Sequence, residues 1–255
     1  MNDVCPYKEH YVFEKPENLQ VRIWRYMDFF KYISLLENRA LYFCRADILA
    51  EKFDPFEGKY PKDIVMKLLN QARTEREREH IFRVLDNPEF KKMLIINCWH
   101  INEIESYHMW KVYIERSYGV SIRSTYERLC KCFDVYKSNN VFIGMVTYDK
   151  DKVKICNSFY PYMYKRPYYI SDKELRAIIL NIWKDYDKRV FNESYLTQKE
   201  SFIPVDLDVL IEKVVVAPGT PENVYEKIKS ISKEYGFENR VERSKLDEKP
   251  ISMRA

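Results

Sequence analysis

The run Met93-Leu94-Ile95-Ile96-Asn97-Cys98-Trp99 constrains this chain more than any other segment. It is short for a helix and shows no polar alternation, so it reads as a central strand buried on both faces. Such a strand needs paired neighbours along its edges and packed elements above and below.

The rest of the chain supplies them. Residues 21–26 alternate apolar and polar side chains as a strand does, and 41–44, 120–124, 141–148 and 214–217 carry further strand patterns, with 241–244 as an edge strand. Asp28 precedes Phe29, Phe30, Ile33 and Leu36 at helical spacing and reads as their N-cap. Helices are predicted over 61–83 and 87–92. Another follows a capping box of Asn102 and Glu105, with Ile104, Tyr107, Trp110 and Tyr113 as its apolar stripe. Residues 125–133, a turn at 207–210 and an amphipathic stretch over 221–235 complete the helices, while 177–180 suits either strand or helix. Residues 158–166 are irregular. The sum predicts an α+β fold: a mixed, mostly antiparallel sheet with flanking helices. No repeat or Gly/Ser-rich linker divides the chain, so 1–255 reads as one domain, with 1–20 a poorly defined N-terminal extension.

Composition narrows function. The chain has 5 glycines against 21 tyrosines, 14 phenylalanines and 4 tryptophans, where an average chain of this length carries roughly 18 glycines. Backbone cradles for phosphate need several glycines together; Gly58, Gly119, Gly144, Gly219 and Gly236 are isolated, which excludes a Rossmann fingerprint and a P-loop. With 43 Lys and Arg against 39 Asp and Glu, the net charge of +4 is too mild to mark a dedicated nucleic-acid binder. The alternating charges over 74–80 read as a solvated helix face. No apolar run approaches a membrane span and the start lacks a signal-peptide layout, so a cytoplasmic protein without a membrane partner is expected. The six cysteines lack regular spacing, which predicts reduced thiols.

Four constellations could carry chemistry. His100, Glu103, Glu105 and His108 with Cys98 cluster, but not at zinc-site spacing, so no metal is expected. No cysteine is marked as an activated nucleophile. Tyr164, Lys165 and Arg166, inside a tyrosine-rich stretch, interleave rings and cations as a single-strand grip does; the ordinary alternative is packed rings with surface charges. Asp54 and Glu57 flank a proline and could act as acid and base or hold Mg²⁺, yet Asp before Pro is also an ordinary turn.

Taken in order, Trp24-Arg25-Tyr26, Leu41-Tyr42-Phe43, Phe53-Asp54-Pro55-Phe56-Glu57-Gly58, Cys98-Trp99, Met109-Trp110 with Tyr113, Gly119-Val120-Ser121-Ile122 and Glu174-Leu175-Arg176 resemble a bacterial family known only as a domain of unknown function, number twenty-nine seventy-one. The likeness covers about 23 to 245 and is most specific over 98–122. Two departures are mild: Lys52-Phe53 stands where the family has Phe-Asn, and Asp172 takes the first acidic place of its E-x-E-x-R strand. More distantly, a basic residue on the first strand, a Tyr-Phe strand and a late strand Glu are similar to ADP-ribosyltransferase-like folds. That resemblance implies a two-sheet cleft with NAD as substrate and a transferase or NAD-cleaving toxin or defence effector. It places Arg25 on the pyrophosphate or ribose, Tyr42, Trp110 and Tyr113 around the ring, and Glu174 as the catalytic carboxylate. Asp54, Glu57, Trp99 and Arg176 are further cleft candidates. A developing oxocarbenium is what a placed carboxylate stabilises. The bland counterpart is a strand-end charge at Arg25, core rings, and a Glu174–Arg176 ion pair. The competing functions are a nucleic-acid or protein binding module, and an Mg²⁺ nuclease using Asp54, Glu57 and Glu174.

Overall fold

The computed structural model describes residues 9–53, 58–114, 118–137, 140–154, 157–185, 190–191, 193–197 and 200–248. Its strands are β1 (Arg22–Asp28), β2 (Ala40–Arg45), β3 (Leu94–Ile101), β4 (Gly119–Thr125), β5 (Val141–Met145), β6 (Glu174–Leu180), β7 (Trp183–Asp185), β8 (Val190–Phe191), β9 (Glu200–Pro204), β10 (Lys213–Val216) and β11 (Val241–Arg243). The helices are α1 (Phe29–Asn38), α2 (Ala46–Phe53), α3 (Lys62–Gln71), α4 (Glu75–Leu85), α5 (Pro88–Met93), α6 (Tyr107–Ile114), α7 (Tyr126–Lys131), α8 (Leu207–Leu210) and α9 (Glu222–Glu234). The fold is α+β with a mixed, mostly antiparallel open sheet; β10–β11 is its parallel pair, and β7–β8 pair separately.

Several local expectations hold for stated reasons. Asp28 accepts from the Lys31 amide at 2.9 Å and starts α1. Residues 177–180 resolve as strand because β6 pairs with β3 from Leu94↔Leu180 to His100↔Glu174, so an apolar run ambiguous alone is settled by its neighbours. Others are corrected. The helix expected over 61–83 is two, α3 and α4, because Thr74 and Glu77 form a capping box that starts a new helix inside the run. The strand expected over 141–148 ends at Met145. Asn102 and Glu105 do not cap α6. Ser106 accepts from the Met109 amide at 3.3 Å instead, and the inward stripe becomes Met109, Trp110 and Ile114, with Ile104, Tyr107 and Tyr113 outward. The loop at Asp54 and Glu57 lies outside the described residues.

β3 organises the sheet. One edge pairs with β6 along its length; the other is shared, with β1 at Ile101 and His100 and β2 at Ile96 and Ile95. β1 and β2 therefore part over Asn97, Cys98 and Trp99. The ladder is one forked sheet rather than two separate ones.

The two faces differ. One carries a continuous core that includes Ile23, Ile95, Trp99 and Ile122 under Tyr32 and Leu36 of α1, Leu129 of α7 and Ile228 of α9. The other is broken into two packed patches. Leu94, Ile96 and Ile178 lie under Tyr160, Tyr162 and Met163; Trp24, Tyr26 and Val215 lie under Met109, Trp110 and Ile114 of α6. No helix among the described residues is long and apolar enough to cross a membrane.

Candidate functional site

The gap between those two patches is where the sheet presents polar groups. Strand side chains alternate, so the pairings Trp24↔His100, His100↔Glu174, Cys98↔Arg176 and Cys44↔Ile96 put Trp24, Tyr26, Tyr42, Cys98, His100, Glu174 and Arg176 on this one face.

Arg25 alternates with Trp24 and Tyr26 and pairs with Ile122, so it starts on the unbroken face and reaches into the fork, just past the last β1–β3 pair. Its Nη1 donates to the Cys98 carbonyl at 2.6 Å and its Nη2 to the Tyr42 carbonyl at 3.4 Å; the Asn97 amide also donates to Tyr42 O, at 2.8 Å. These bonds occupy the carbonyls that a continuous ladder would have paired. Burial lowers the Arg25 pKa, while the Cys98 thiol and the Tyr113 and Tyr42 hydroxyls push the other way; a guanidinium stays charged regardless. Among the described residues no carboxylate pairs with it. Tyr42 and Tyr113 remain 37% and 43% exposed beside this cation. Tyr113 stacks on Tyr26 with centroids 6.4 Å apart, and burial raises its hydroxyl to about 12.

Glu174 is the deepest charge. Arg176, 1% exposed, donates through Nε to one carboxylate oxygen at 2.8 Å and through Nη2 to the other at 3.1 Å. Lys165 Nζ meets the second oxygen at 3.0 Å and Asp172 at 2.8 Å, and the neighbouring Cys98 thiol also favours the ionised carboxylate. Burial alone would raise the Glu174 pKa, but Arg176 and Lys165 outweigh it and lower it to about 2. Three N–H donors take most of the roughly four lone-pair directions of a carboxylate. With Asp172 counted, two cations face two anions, so the cluster is neutral. Burial first, then the neighbouring Glu174, push the Cys98 thiol up, which leaves it protonated and unreactive. His100, lowered by burial, donates from Nδ1 to the Asp172 carbonyl at 2.7 Å, since a carbonyl only accepts.

The structure thus brings Arg25, Tyr42, Tyr113, Glu174 and Arg176 to one gap. It places two other candidates elsewhere. Trp110 is 3% exposed with its indole N–H bonded to Glu105 at 2.8 Å, so it backs Tyr26 rather than walling a cleft. Trp99 lies on the unbroken face, its indole bonded to Asn97. In the tyrosine-rich segment, Tyr160 and Tyr162 are buried, Tyr164 bridges to Thr147, and Arg166 lies over the Tyr169 ring. Lys165 pairs with Asp172 and Glu174. Asp172, Cys98 and Tyr148, whose hydroxyl accepts from the Glu174 amide at 2.9 Å, complete the cluster. Asp172 closes the 3₁₀ turn before β6, where strand spacing carries no signal for it. Tyr148 had none either. Among the described residues no three His, Cys, Asp or Glu side chains group as metal ligands.

No family model, curated protein or solved structure matches the chain.

Proposed function

We propose that the gap on the split face binds a nucleotide through side chains, and that the chain is an ADP-ribosyltransferase-like protein taking NAD as substrate. The observation that carries the reading is Arg25: a partly buried cation with backbone carbonyl partners and, among the described residues, no carboxylate, beside two half-exposed tyrosine rings. A cation in that state complements a pyrophosphate, and the rings offer stacking area to an aromatic base. The scarcity of glycine fits a site that does without a backbone cradle.

In this reading the bond between nicotinamide nitrogen and the ribose anomeric carbon breaks, its electron pair leaves with nicotinamide, and water or an acceptor nucleophile takes the resulting oxocarbenium. Glu174 stays ionised throughout and supplies negative charge rather than a proton. Arg176 and Lys165 take most of its lone pairs, so direct contact with the sugar is helped when Lys165 lets go. Binding therefore rests on Arg25 and the chemical step on Glu174.

The test separates the two. NAD binding is measured by calorimetry, and nicotinamide release is followed with NAD alone and with DNA, RNA or lysate added. Arg25→Gln is expected to weaken binding about tenfold or more, the value of a lost charge-assisted pair. Glu174→Gln should bind NAD but release no nicotinamide, and Cys98→Ala, which alters only the thiol beside the carboxylate, should turn over about as fast as wild type. Wild-type protein that fails to bind NAD, or an Arg25→Gln variant that binds equally well, overturns the reading.

A further inference from the structure

Three arginines from separate parts of the chain converge on α8, in the helix layer over the unbroken face. Arg39 is the C-cap of α1 and holds φ 45° and ψ 43°, the left-handed conformation that glycine usually fills there. Arg128 lies on α7, and Arg240 ends the 3₁₀ turn Glu238–Arg240 ahead of β11. Nη2 of Arg128 and Nη1 of Arg240 donate to the same two carbonyls: to Asp208 at 3.2 and 3.0 Å, and to Ile211 at 3.3 and 2.5 Å. Arg39 and Arg240 meet the Asp208 carboxylate at 3.2 and 3.8 Å.

Asp206 is spent capping the amides of Asp208 and Val209. Among the described residues Asp208 is thus the one carboxylate paired with these three guanidinium groups, a surplus of two positive charges. Two guanidinium groups sharing one pair of acceptors repel each other, and the Arg128 Nε is buried with no hydrogen-bond partner. Arg39 and Asp208 are 50% and 64% exposed at the side chain, so solvent reaches the cluster. A left-handed arginine where glycine would sit more easily is local strain, retained with its guanidinium aimed at this cluster.

We propose that Arg39, Arg128 and Arg240 form a surface for the phosphodiester backbone of a nucleic acid. Guanidinium forks match phosphate oxygens, and an open surface with several cations suits a polymer, which presents successive phosphates, better than a lone ion.

A labelled single-stranded DNA oligonucleotide titrated with the whole chain tests this. Affinity should fall with salt at a log–log slope of about −1.4 to −2, for two or three phosphates neutralised. Asp208→Asn, which removes the competing carboxylate, should tighten binding. Arg39→Gly should weaken it several-fold while raising the melting temperature, because glycine relieves the left-handed strain; a purely structural role for Arg39 would not move the two readouts in opposite directions. Absent or salt-insensitive binding, or Arg39→Gly and Asp208→Asn variants that bind as wild type, overturns the proposal. Inorganic pyrophosphate that displaces the strand at equal phosphate concentration also overturns it, and makes the cluster a small-ion site.

Discussion

Glu174 shows how one side chain's neighbours decide its role. Its folded pKa of about 2 lies below the ordinary 4.5, so its contribution to stability is complete above pH 4.5 and is lost as pH falls toward 2. Acid denaturation followed by circular dichroism should steepen in that window. In Glu174→Gln the window should flatten, and stability at pH 7 should drop by about 3–5 kcal/mol because Arg176 and Lys165 are left buried with less negative charge. A Gln variant with wild-type acid dependence would show that the carboxylate is not ionised by this pairing. Half of this was readable in advance, since the spacing of Glu174 and Arg176 puts them on one face of β6. Lys165 was not, because its partners come from a different element, and its tyrosine neighbours suggested a nucleic-acid grip. Trp110 and Tyr113 make the same point: three positions apart on α6 and read as one stripe, they part in the structure, Trp110 packing inward while Tyr113 stays half-exposed beside Arg25.

At the scale of elements, the N-terminal segment is tied down by an approach that only glycine permits. A Cβ on Gly144 would lie 2.6 Å from the Phe13 Cα, and the Met145 amide donates to Glu14 O at 2.8 Å along the outer edge of β5. The Phe13 ring stacks on Phe142 at 5.3 Å and meets Phe159 edge-on at the same distance. Phe13→Ala should cost about 3–5 kcal/mol and Gly144→Ala about 1–3 kcal/mol. Urea midpoints at an unchanged m-value measure both, and a neutral Phe13→Ala would mean the segment is undocked in solution. Residues 1–20 read as an extension; among the described ones, Phe13 and Glu14 dock outside any helix or strand, where periodicity has nothing to report. Elements with local signals were legible: Asp28 before α1, the alternation of β1, the apolar run of β3. Lacking such a signal, α2 and β9 were not anticipated, and the break between α3 and α4 was hidden inside one long polar-rich helical pattern.

At the scale of the whole molecule, the forked sheet separates two functions. Arg25 reaches into the fork between β1 and β2, Glu174 lies on the split face, and the arginine cluster at α8 belongs to the layer covering the unbroken face. Arg25→Gln should therefore leave oligonucleotide affinity unchanged, and Arg39→Gly should leave NAD binding unchanged, since sites without shared contacts act additively. Cross-effects in either direction, read in the same two titrations, would show that the sites are one. Short-range chemistry in the chain was enough for the α+β class, the central strand, most strand and helix positions and the exclusion of glycine-cradled phosphate, because caps, alternation and glycine clustering act within a few residues. Which of two faces is divided into two apolar patches, that β1 and β2 part over β3, that Lys165 joins Arg176 on Glu174 and that three distant arginines meet at α8 depend on contacts between residues far apart in sequence. Pattern carries no record of those; only packing brings the partners together.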